Sequence, residues 1–167
     1  MKSWYLVYCK PRQEGLAKVN LERQGYIIYL PLARQSRKRL GKRVFVIEPL
    51  FPRYLFIELD LHTDNWAPIR STLGVTSVVR FGMEPAIVPA GLVDTIRARD
   101  DGEGVQLLPS SDYRVGASVR IAEGPMSGYE GLFIAKSGHD RVVVLLDLIN
   151  KQVRVTVDIG QLEARSG

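Results

Sequence analysis

The chain has 167 residues, 46% of them hydrophobic and 25% charged, a globular composition that fits one ordinary domain or two small ones and excludes a fibrous or largely disordered protein. The net charge of +5 is compatible with a nucleic acid partner, and the single cysteine excludes a disulfide framework or a cysteine metal site. No apolar run is long enough for a secretory signal or a membrane span, so we expect a cytoplasmic protein without membrane contact.

The chain opens with a strand followed by a helix. Residues 3–9, SWYLVYC, are apolar and rich in aromatic and β-branched types, which favours a strand. Residues 12–25 contain Leu16, Val19 and Leu21 at helical spacing and end in a glycine that can stop a helix. We therefore predict a helix directly after the first strand.

A basic hairpin is predicted next. Residues 26–32 and 43–50 have strand character, and the stretch RQSRKRLGKR between them places Gly41 at a turn. Charge is concentrated in this half, with 12 Lys or Arg against 3 acids up to residue 57 and 11 against 15 afterwards. The basic half is therefore the candidate for phosphate contact, although a solvated basic surface would have the same composition.

Residues 54–60, YLFIELD, form a predicted strand with two apolar faces. Side chains alternate across a strand, so Leu55 and Ile57 point one way while Tyr54 and Phe56 point the other. An antiparallel sheet that faces water would carry polar residues on one of these sides. The aromatic side must be covered by more of the chain, by a nucleic acid or by a protein partner.

The remaining segments complete an α+β prediction of a sheet-and-helix sandwich followed by a small second domain. A strand at 75–81 and a short helix at 89–99 close an N-terminal domain of residues 1–99, and residues 100–113 have the composition of a linker. Residues 114–167 contain short β-branched runs between glycines, typical of a barrel of about five strands.

The C-terminal segment also carries a helical pattern. Its apolar residues at spacings of three and four are Val142, Leu145, Leu146, Ile149 and Val153. Short apolar runs often fit both periods and adopt only one, so barrel and helix both stay open from the pattern alone.

No catalytic arrangement is visible in the sequence. His62 and His139 are the only histidines and lie near predicted turns in separate domains, and Cys9 lies within a predicted strand. Nucleophilic catalysis requires a nucleophile beside a base, and a metal requires clustered ligands. We expect a protein that is not an enzyme and needs no metal or cofactor.

Several segments together resemble a known family. The order WYLVYCKPRQE, a basic hairpin, EPLFPRYLFIELD and VRIAEGPMSGYEG resembles the NusG family of transcription elongation factors, whose C-terminal domain carries the KOW motif. The opening WYLVYCK, the GKR before EPLFPRYLF, and LLDLINK resemble the specialised RfaH branch of that family.

The resemblance implies that an apolar depression of the N-terminal domain binds the β′ clamp helices of RNA polymerase. The matching residues of this chain are Phe51, Tyr54, Phe56, Leu92, Val93 and Ile96. A second contact to the β gate loop is implied for the loop after the fourth strand. Here that loop reads Asn65-Trp66-Ala67-Pro68, which departs from the usual His-Thr-Thr-Thr.

The resemblance also implies contact with non-template single-stranded DNA at a pause element. The matching positions are Lys10, Arg23, Gln24 and Thr72, with Arg43 and Arg70 nearby. Leu73 stands where the family branch usually has arginine, and Asn20 where it usually has histidine. The DNA element that this chain reads is therefore not predictable from the resemblance.

In the RfaH branch the C-terminal domain switches between a helical hairpin that masks the clamp site and a KOW barrel that binds a small-subunit ribosomal protein. The residues expected at the masking interface are Phe133, Leu145, Leu148 and Ile149, with an ion pair between Glu48 and Arg141. A switch of this kind needs two states within a few kcal/mol.

The predicted function is that of a monomeric, operon-specific transcription antiterminator that suppresses pausing and couples transcription to translation. Two alternatives remain: a housekeeping NusG-type elongation factor, and a KOW-containing ribosomal or RNA-binding protein.

Overall fold

A computed structural model describes residues 1–102, 104–107, 132 and 137–151. The strands are β1 (Ser3–Cys9), β2 (Ile27–Tyr29), β3 (Leu32–Arg39), β4 (Lys42–Pro49), β5 (Tyr54–Leu59), β6 (Val75–Val78), β7 (Arg80–Phe81), β8 (Glu84–Pro85) and β9 (Val105–Leu107). The helices are α1 (Glu14–Arg23), α2 (Leu92–Arg97) and α3 (residues 138–151), with a 3-10 helix at Ala67–Ser71. The predicted mixture of sheet and helices in the N-terminal part is confirmed.

The central sheet has four antiparallel strands in the order β2-β5-β1-β6. Strand β5 pairs with β1 along its whole length and with β2 on its other side. Leu55 and Ile57 pack into a buried cluster on one face of the sheet, and Phe56 packs into a different cluster on the opposite face. The sheet is therefore covered on both sides, which explains the two apolar faces of β5.

Helix α1 covers the first face, but with a different side than the apolar spacing predicts. Ala17 and Leu21 are fully buried, whereas Leu16 and Val19 are each 46% exposed. Gly74 lies against this helix, so close that a Cβ atom there would be 2.8 Å from the Ala17 backbone nitrogen. Because the helix backbone lies this near and the φ of Gly74 is 87°, position 74 requires glycine.

The second strand of the basic hairpin lies where predicted, as β4, but its partner is not the predicted segment 26–32. Its strands are β3 and β4, paired from Leu32 with Pro49 to Arg39 with Lys42, so the basic stretch is itself a strand and not a tip. The segment 26–32 is interrupted at Pro31, and its first part pairs with β5 as β2. Proline lacks the amide hydrogen that a continuous strand would donate, which explains the break.

Strand β9 lies inside the predicted linker. Val105 pairs with Leu32 in a parallel ladder that adds β9 to the β3–β4 hairpin. Of the segment 100–113, only residues up to 102 and 104–107 are described, and the domain boundaries remain a prediction.

Residues 138–151 are helical, which is the second of the two alternatives that the sequence pattern left open for this stretch. Ser137 begins the helix: its hydroxyl accepts a hydrogen bond of 3.0 Å from the Asp140 amide, and its carbonyl accepts one from the Arg141 amide. Lys151 and Asp147 form an ion pair of 3.1 Å one turn apart. Phe133 and Val153 lie outside the described residues, as does most of the predicted KOW domain.

Candidate functional site

The predicted polymerase-binding residues form one apolar face on the side of the sheet opposite α1. This face, named the apolar face below, comprises Phe51, Phe56, Leu92, Val93 and Ile96. The rings of Phe51 and Phe56 meet edge to face with centroids 5.9 Å apart, a favourable aromatic geometry. The structure therefore brings residues of β5, of the preceding turn and of α2 together as predicted.

The turn before β5 fixes the position of Phe51. The backbone amide of Arg53, which has a positive φ of 73°, donates a 3.0 Å hydrogen bond to the buried carboxylate of Glu14. The Arg53 carbonyl accepts a 2.7 Å hydrogen bond from the Cys9 amide, and the Phe51 carbonyl accepts one from the Tyr54 amide. Hydrogen bonds to β1 and α1 thus hold a strained turn, and this turn places the Phe51 ring within the apolar face.

Tyr54 lies at the edge of the apolar face. It is half-buried, and its ring centroid is 5.1 Å from that of Tyr8, over which the Arg53 guanidinium sits at 4.2 Å. Burial raises the pKa of the Tyr54 hydroxyl, and the neighbouring Tyr8 raises it further. Tyr54 is therefore a neutral, partly accessible aromatic residue beside the buried phenylalanines.

Helix α3 covers the apolar face. Leu145 and Ile149 are fully buried in the same cluster as Phe51 and Phe56, together with Leu132. Leu148 is half-buried and packs against this cluster. The aromatic side of β5 is therefore closed by this chain's own helix and is not an open surface in this structure.

Arg141 lies at the start of the buried stripe of α3. Its side chain is fully buried, and its Nε donates a 2.7 Å hydrogen bond to the Leu50 carbonyl at the end of β4. A guanidinium so far from water is costly unless it is hydrogen-bonded. Glu48, two residues from Leu50, is half-buried, and its ion pair with Arg141 stays a prediction.

A close contact lies one turn before Arg141. A Cβ atom on Gly138 would be 2.5 Å from Cγ and 2.8 Å from Cδ of Pro52. Only glycine allows the first turn of α3 to lie this near the proline ring. This contact was not predicted, because spacing in the sequence does not show which glycine meets another element.

Four of the predicted DNA-binding residues lie where α1 meets the 3-10 helix. The Nε2 of Gln24 donates a 2.7 Å hydrogen bond to Thr72, whose hydroxyl donates in turn to the Pro68 carbonyl at 3.1 Å. Arg23 and Arg70 are exposed beside this pair. Thr72 is only 8% exposed, so it positions Gln24 and does not itself present a surface group.

Lys10 joins this group through the backbone. The Lys10 amide donates a 2.8 Å hydrogen bond to the Gly74 carbonyl, which ties the end of β1 to the loop after Thr72. The basic edge, as we name it, comprises Lys10, Arg23, Gln24, Arg70 and Thr72.

Arg43 belongs to a separate surface on the hairpin. It pairs with Lys38, and the next residues on the same side of β4 are Phe45, which is 70% exposed, and Ile47. Arg34 pairs with Ile47 and completes a basic and aromatic hairpin face. Alternation along β4 places Phe45 on the same side as Arg43 in the sequence. That this side also carries the basic residues of β3 follows only once β3 is known to pair with β4.

The residues considered for catalysis have structural roles or lie on the surface. Cys9 is fully buried, and burial raises the pKa of its thiol to about 12, so the nucleophilic thiolate is scarce near neutral pH. His62 and His139 are exposed, as predicted. Within the part of the chain that the structure describes, no cluster of His, Cys, Asp and Glu could hold a metal ion. No helix in that part is long and apolar enough to cross a membrane.

Comparison with protein families decides the assignment. The family model for NusG, described as transcription termination factor nusG, matches residues 2–97. The chain belongs to the NusG family. The matched segment contains every residue of the apolar face and the basic edge, and it ends before α3.

Relatives in the NusG family match most of the chain. The transcription termination/antitermination protein NusG of Thermus thermophilus is 28% identical and aligns over 95% of this chain and 96% of its own. The protein of the same name from Bacillus subtilis is 24% identical, with coverages of 97% and 98%. A solved structure on domain interaction in Thermotoga maritima NusG is 26% identical, covers 57% of this chain and 55% of its own, and has a TM-score of 0.42.

The family model confirms the predicted family, and it does not distinguish the narrower branch. The relatives described above carry the general NusG name, so they do not support the assignment to the RfaH branch. The roles predicted for individual residues stay predictions.

Proposed function

We propose that this chain is a NusG-type transcription elongation factor that binds RNA polymerase through its apolar face. The observation that carries the proposal is the present occupant of that face, helix α3, which packs Leu145 and Ile149 against it. A groove that accommodates one amphipathic helix has the shape and chemistry to accommodate another. The β′ clamp helices of polymerase are an element of that kind.

The basic edge supports a second contact, to the non-template DNA strand. Lys10, Arg23 and Arg70 are exposed cations that can hold phosphates, while Gln24, oriented by Thr72, offers an amide to a base edge. Holding polymerase and the displaced strand at once would disfavour the rearrangements that accompany a pause. Suppression of pausing is the activity that this arrangement supports.

A second candidate is an operon-specific antiterminator of the RfaH kind, and helix α3 is the observation that favours it. The NusG relatives favour the housekeeping alternative, in which a constitutive barrel engages the termination factor Rho. The two candidates differ at residues 138–151, which are helical and buried against the apolar face here. Contact with a small-subunit ribosomal protein is proposed for either and depends on C-terminal residues beyond those described.

Binding of a clamp-helix fragment to charge variants of α3 tests both candidates. Leu145→Asp should release the helix and raise affinity for the fragment about tenfold or more, because the penalty for uncovering the face disappears. Val143, 53% exposed on the same helix, provides the matched control Val143→Asp. We expect that control to bind like wild type, since aspartate there faces solvent.

The possible outcomes separate the candidates. Fragment binding that is strong and equal in wild type and Leu145→Asp would reject the masked, RfaH-like candidate and leave the housekeeping function. Absence of binding in wild type and both variants would reject the apolar face as the polymerase site.

A further inference from the structure

Strand β4 forms one edge of the three-stranded sheet β4-β3-β9. Among the strands that the structure describes, β4 pairs with β3 alone, over its eight residues from Lys42 to Pro49. We propose that this edge binds an extended acidic segment of another protein, which adds to β4 as a further strand. The proposal goes beyond polymerase binding and does not require it.

The turn between β3 and β4 determines which backbone groups of β4 face outward. Leu40 and Gly41 link the two strands with φ values of 53° and 77°, and two positive φ values are the mark of a two-residue type I′ turn. The residues that flank such a turn, Arg39 and Lys42, bond to each other, and the bonding side alternates along each strand from there. Every second residue of β4 after Arg43, and Arg43 itself, therefore directs its amide and carbonyl away from β3.

Three residues of β4 present a complete outward pair of backbone groups: Arg43, Phe45 and Ile47. None of the described hydrogen bonds outside the β3–β4 ladder uses their amides or carbonyls. Outward groups recur about every 6.8 Å along a strand, which is the repeat at which a neighbouring strand offers its own. The edge is therefore a template for the addition of a strand.

The side chains in the middle of this edge are apolar. Phe45 is 70% exposed and Ile47 is 54% exposed, both on the hairpin face. Proteins commonly guard an open edge against unwanted pairing with charged residues or proline. Arg43 and Pro49 fit such a guard at the two ends, but the large apolar side chains between them do not. An added strand would cover both apolar side chains, which favours binding.

The charge of the hairpin selects the kind of segment. Residues 32–49 contain six Lys or Arg and one acid. On the hairpin face, Arg34, Lys38 and Arg43 form no ion pair with any residue that the structure describes. A second copy of this chain would bring two basic hairpins together, and like charges on paired strands repel. An acidic strand with apolar residues opposite the two apolar side chains is complementary in both respects.

A single-stranded nucleic acid matches the cations of the hairpin but not its backbone edge. Phosphates accept hydrogen bonds and do not donate them, so the outward carbonyls would stay unpaired. A polypeptide strand supplies an amide donor and a carbonyl acceptor at each residue. Phosphate contact with the side chains and strand addition at the backbone are therefore separate properties of the hairpin, and a single variant can separate them.

Fluorescence anisotropy with the full-length protein tests the proposal. The probe is a labelled peptide of about eight residues, a common strand length, in which valine alternates with threonine before a glutamate end. This order suits an antiparallel partner that runs from Ile47 towards Lys42. We expect saturable binding, and the analogue with lysines in place of the glutamates should bind at least about tenfold more weakly.

A proline variant tests the backbone contact. Ile47→Pro removes an outward amide and leaves the ladder to β3 intact, because proline is tolerated on the open side of an edge strand. The matched control is Ile47→Ala, which loses the apolar side chain and keeps the amide. We expect Ile47→Pro to bind the peptide at least about fivefold more weakly than Ile47→Ala, since one hydrogen bond is lost. Oligo-dT should bind both variants equally within about twofold, because phosphates contact the side chains.

A pair of modified peptides keeps the test decisive if Ile47→Pro fails to fold. In a bound strand only every second amide faces β4. N-methylation of that alternate set of amides should weaken binding about tenfold or more relative to N-methylation of the other set. The wild-type protein serves for both titrations.

Four results would overturn the proposal. They are an absence of binding of the acidic peptide, equal binding of the lysine analogue, equal affinity of folded Ile47→Pro and Ile47→Ala, and equal binding of the two methylated peptides. Self-association of the wild type in sedimentation velocity, lost in Ile47→Pro, would assign the edge to a second copy and also overturn it. Clamp-helix binding is measured separately, so failure of the polymerase proposal would be distinguishable.

Discussion

At the scale of single residues, close contacts decide how α3 is held. Gly138 approaches the Pro52 ring, and Arg141 donates to the Leu50 carbonyl, so both contacts join α3 to the turn between β4 and β5. The resemblance implies an interface role for Arg141, which stays a prediction, and the structure shows its side chain fully buried. Its hydrogen bond to a main-chain carbonyl was not predictable, because a backbone acceptor has no sequence signature.

Gly138→Ala tests whether α3 is held by docking. Alanine is a better helix former than glycine by up to about 1 kcal/mol, so the substitution would stabilise a helix that is not docked. In the docked helix the new Cβ overlaps the Pro52 ring, and we expect a net loss of about 1–3 kcal/mol of protection against amide exchange in residues 138–151.

Gly15→Ala is the matched control for this prediction. Gly15 is also in the first turn of a helix, and a Cβ there would meet nothing within 4 Å. We expect an increase of up to about 1 kcal/mol in the free energy of unfolding, measured by urea denaturation. Slower exchange of α3 in Gly138→Ala would contradict the docked arrangement.

At the scale of elements, periodicity predicted most strands and helices of the N-terminal part but not their partners. Strands β1 and β5 and helices α1 and α2 lie where the pattern placed them. The partner predicted for β4 was wrong, because the basic residues of β3 carry no apolar alternation that would mark them as a strand. The sequence of residues 138–151 fits both the helical and the strand period. In the structure the segment is a helix that packs against the apolar face, and this tertiary contact cannot be read from a local pattern.

The hairpin face gives an element-scale prediction. Replacing Arg34, Lys38 and Arg43 by glutamine should lower the slope of log affinity against log salt for single-stranded DNA by about 2, whatever its sequence, because each phosphate contact contributes about 0.7. Filter binding over a salt series measures this slope. The same replacements at Lys2, Lys18 and Lys151 form the control, and an equal change of slope there would show that only net charge matters.

At the scale of the whole molecule, the sheet is covered by α1 on one face and by α2 and α3 on the other. The family match ends at residue 97, so α3 covers the matched domain from outside the matched segment. Sequence resemblance identified the family and the residues of the apolar face. It did not settle the state of the C-terminal segment, because the apolar residues there fit both a helical and a strand period.

The central claim is that α3 and the polymerase clamp helices occupy the same face and exclude each other. Amide hydrogen exchange of the full-length wild-type chain, titrated with a clamp-helix fragment, tests it most directly. The account predicts that residues 138–151 are protected in the free protein and lose protection in step with fragment binding. Saturating fragment binding that leaves residues 138–151 fully protected would contradict it.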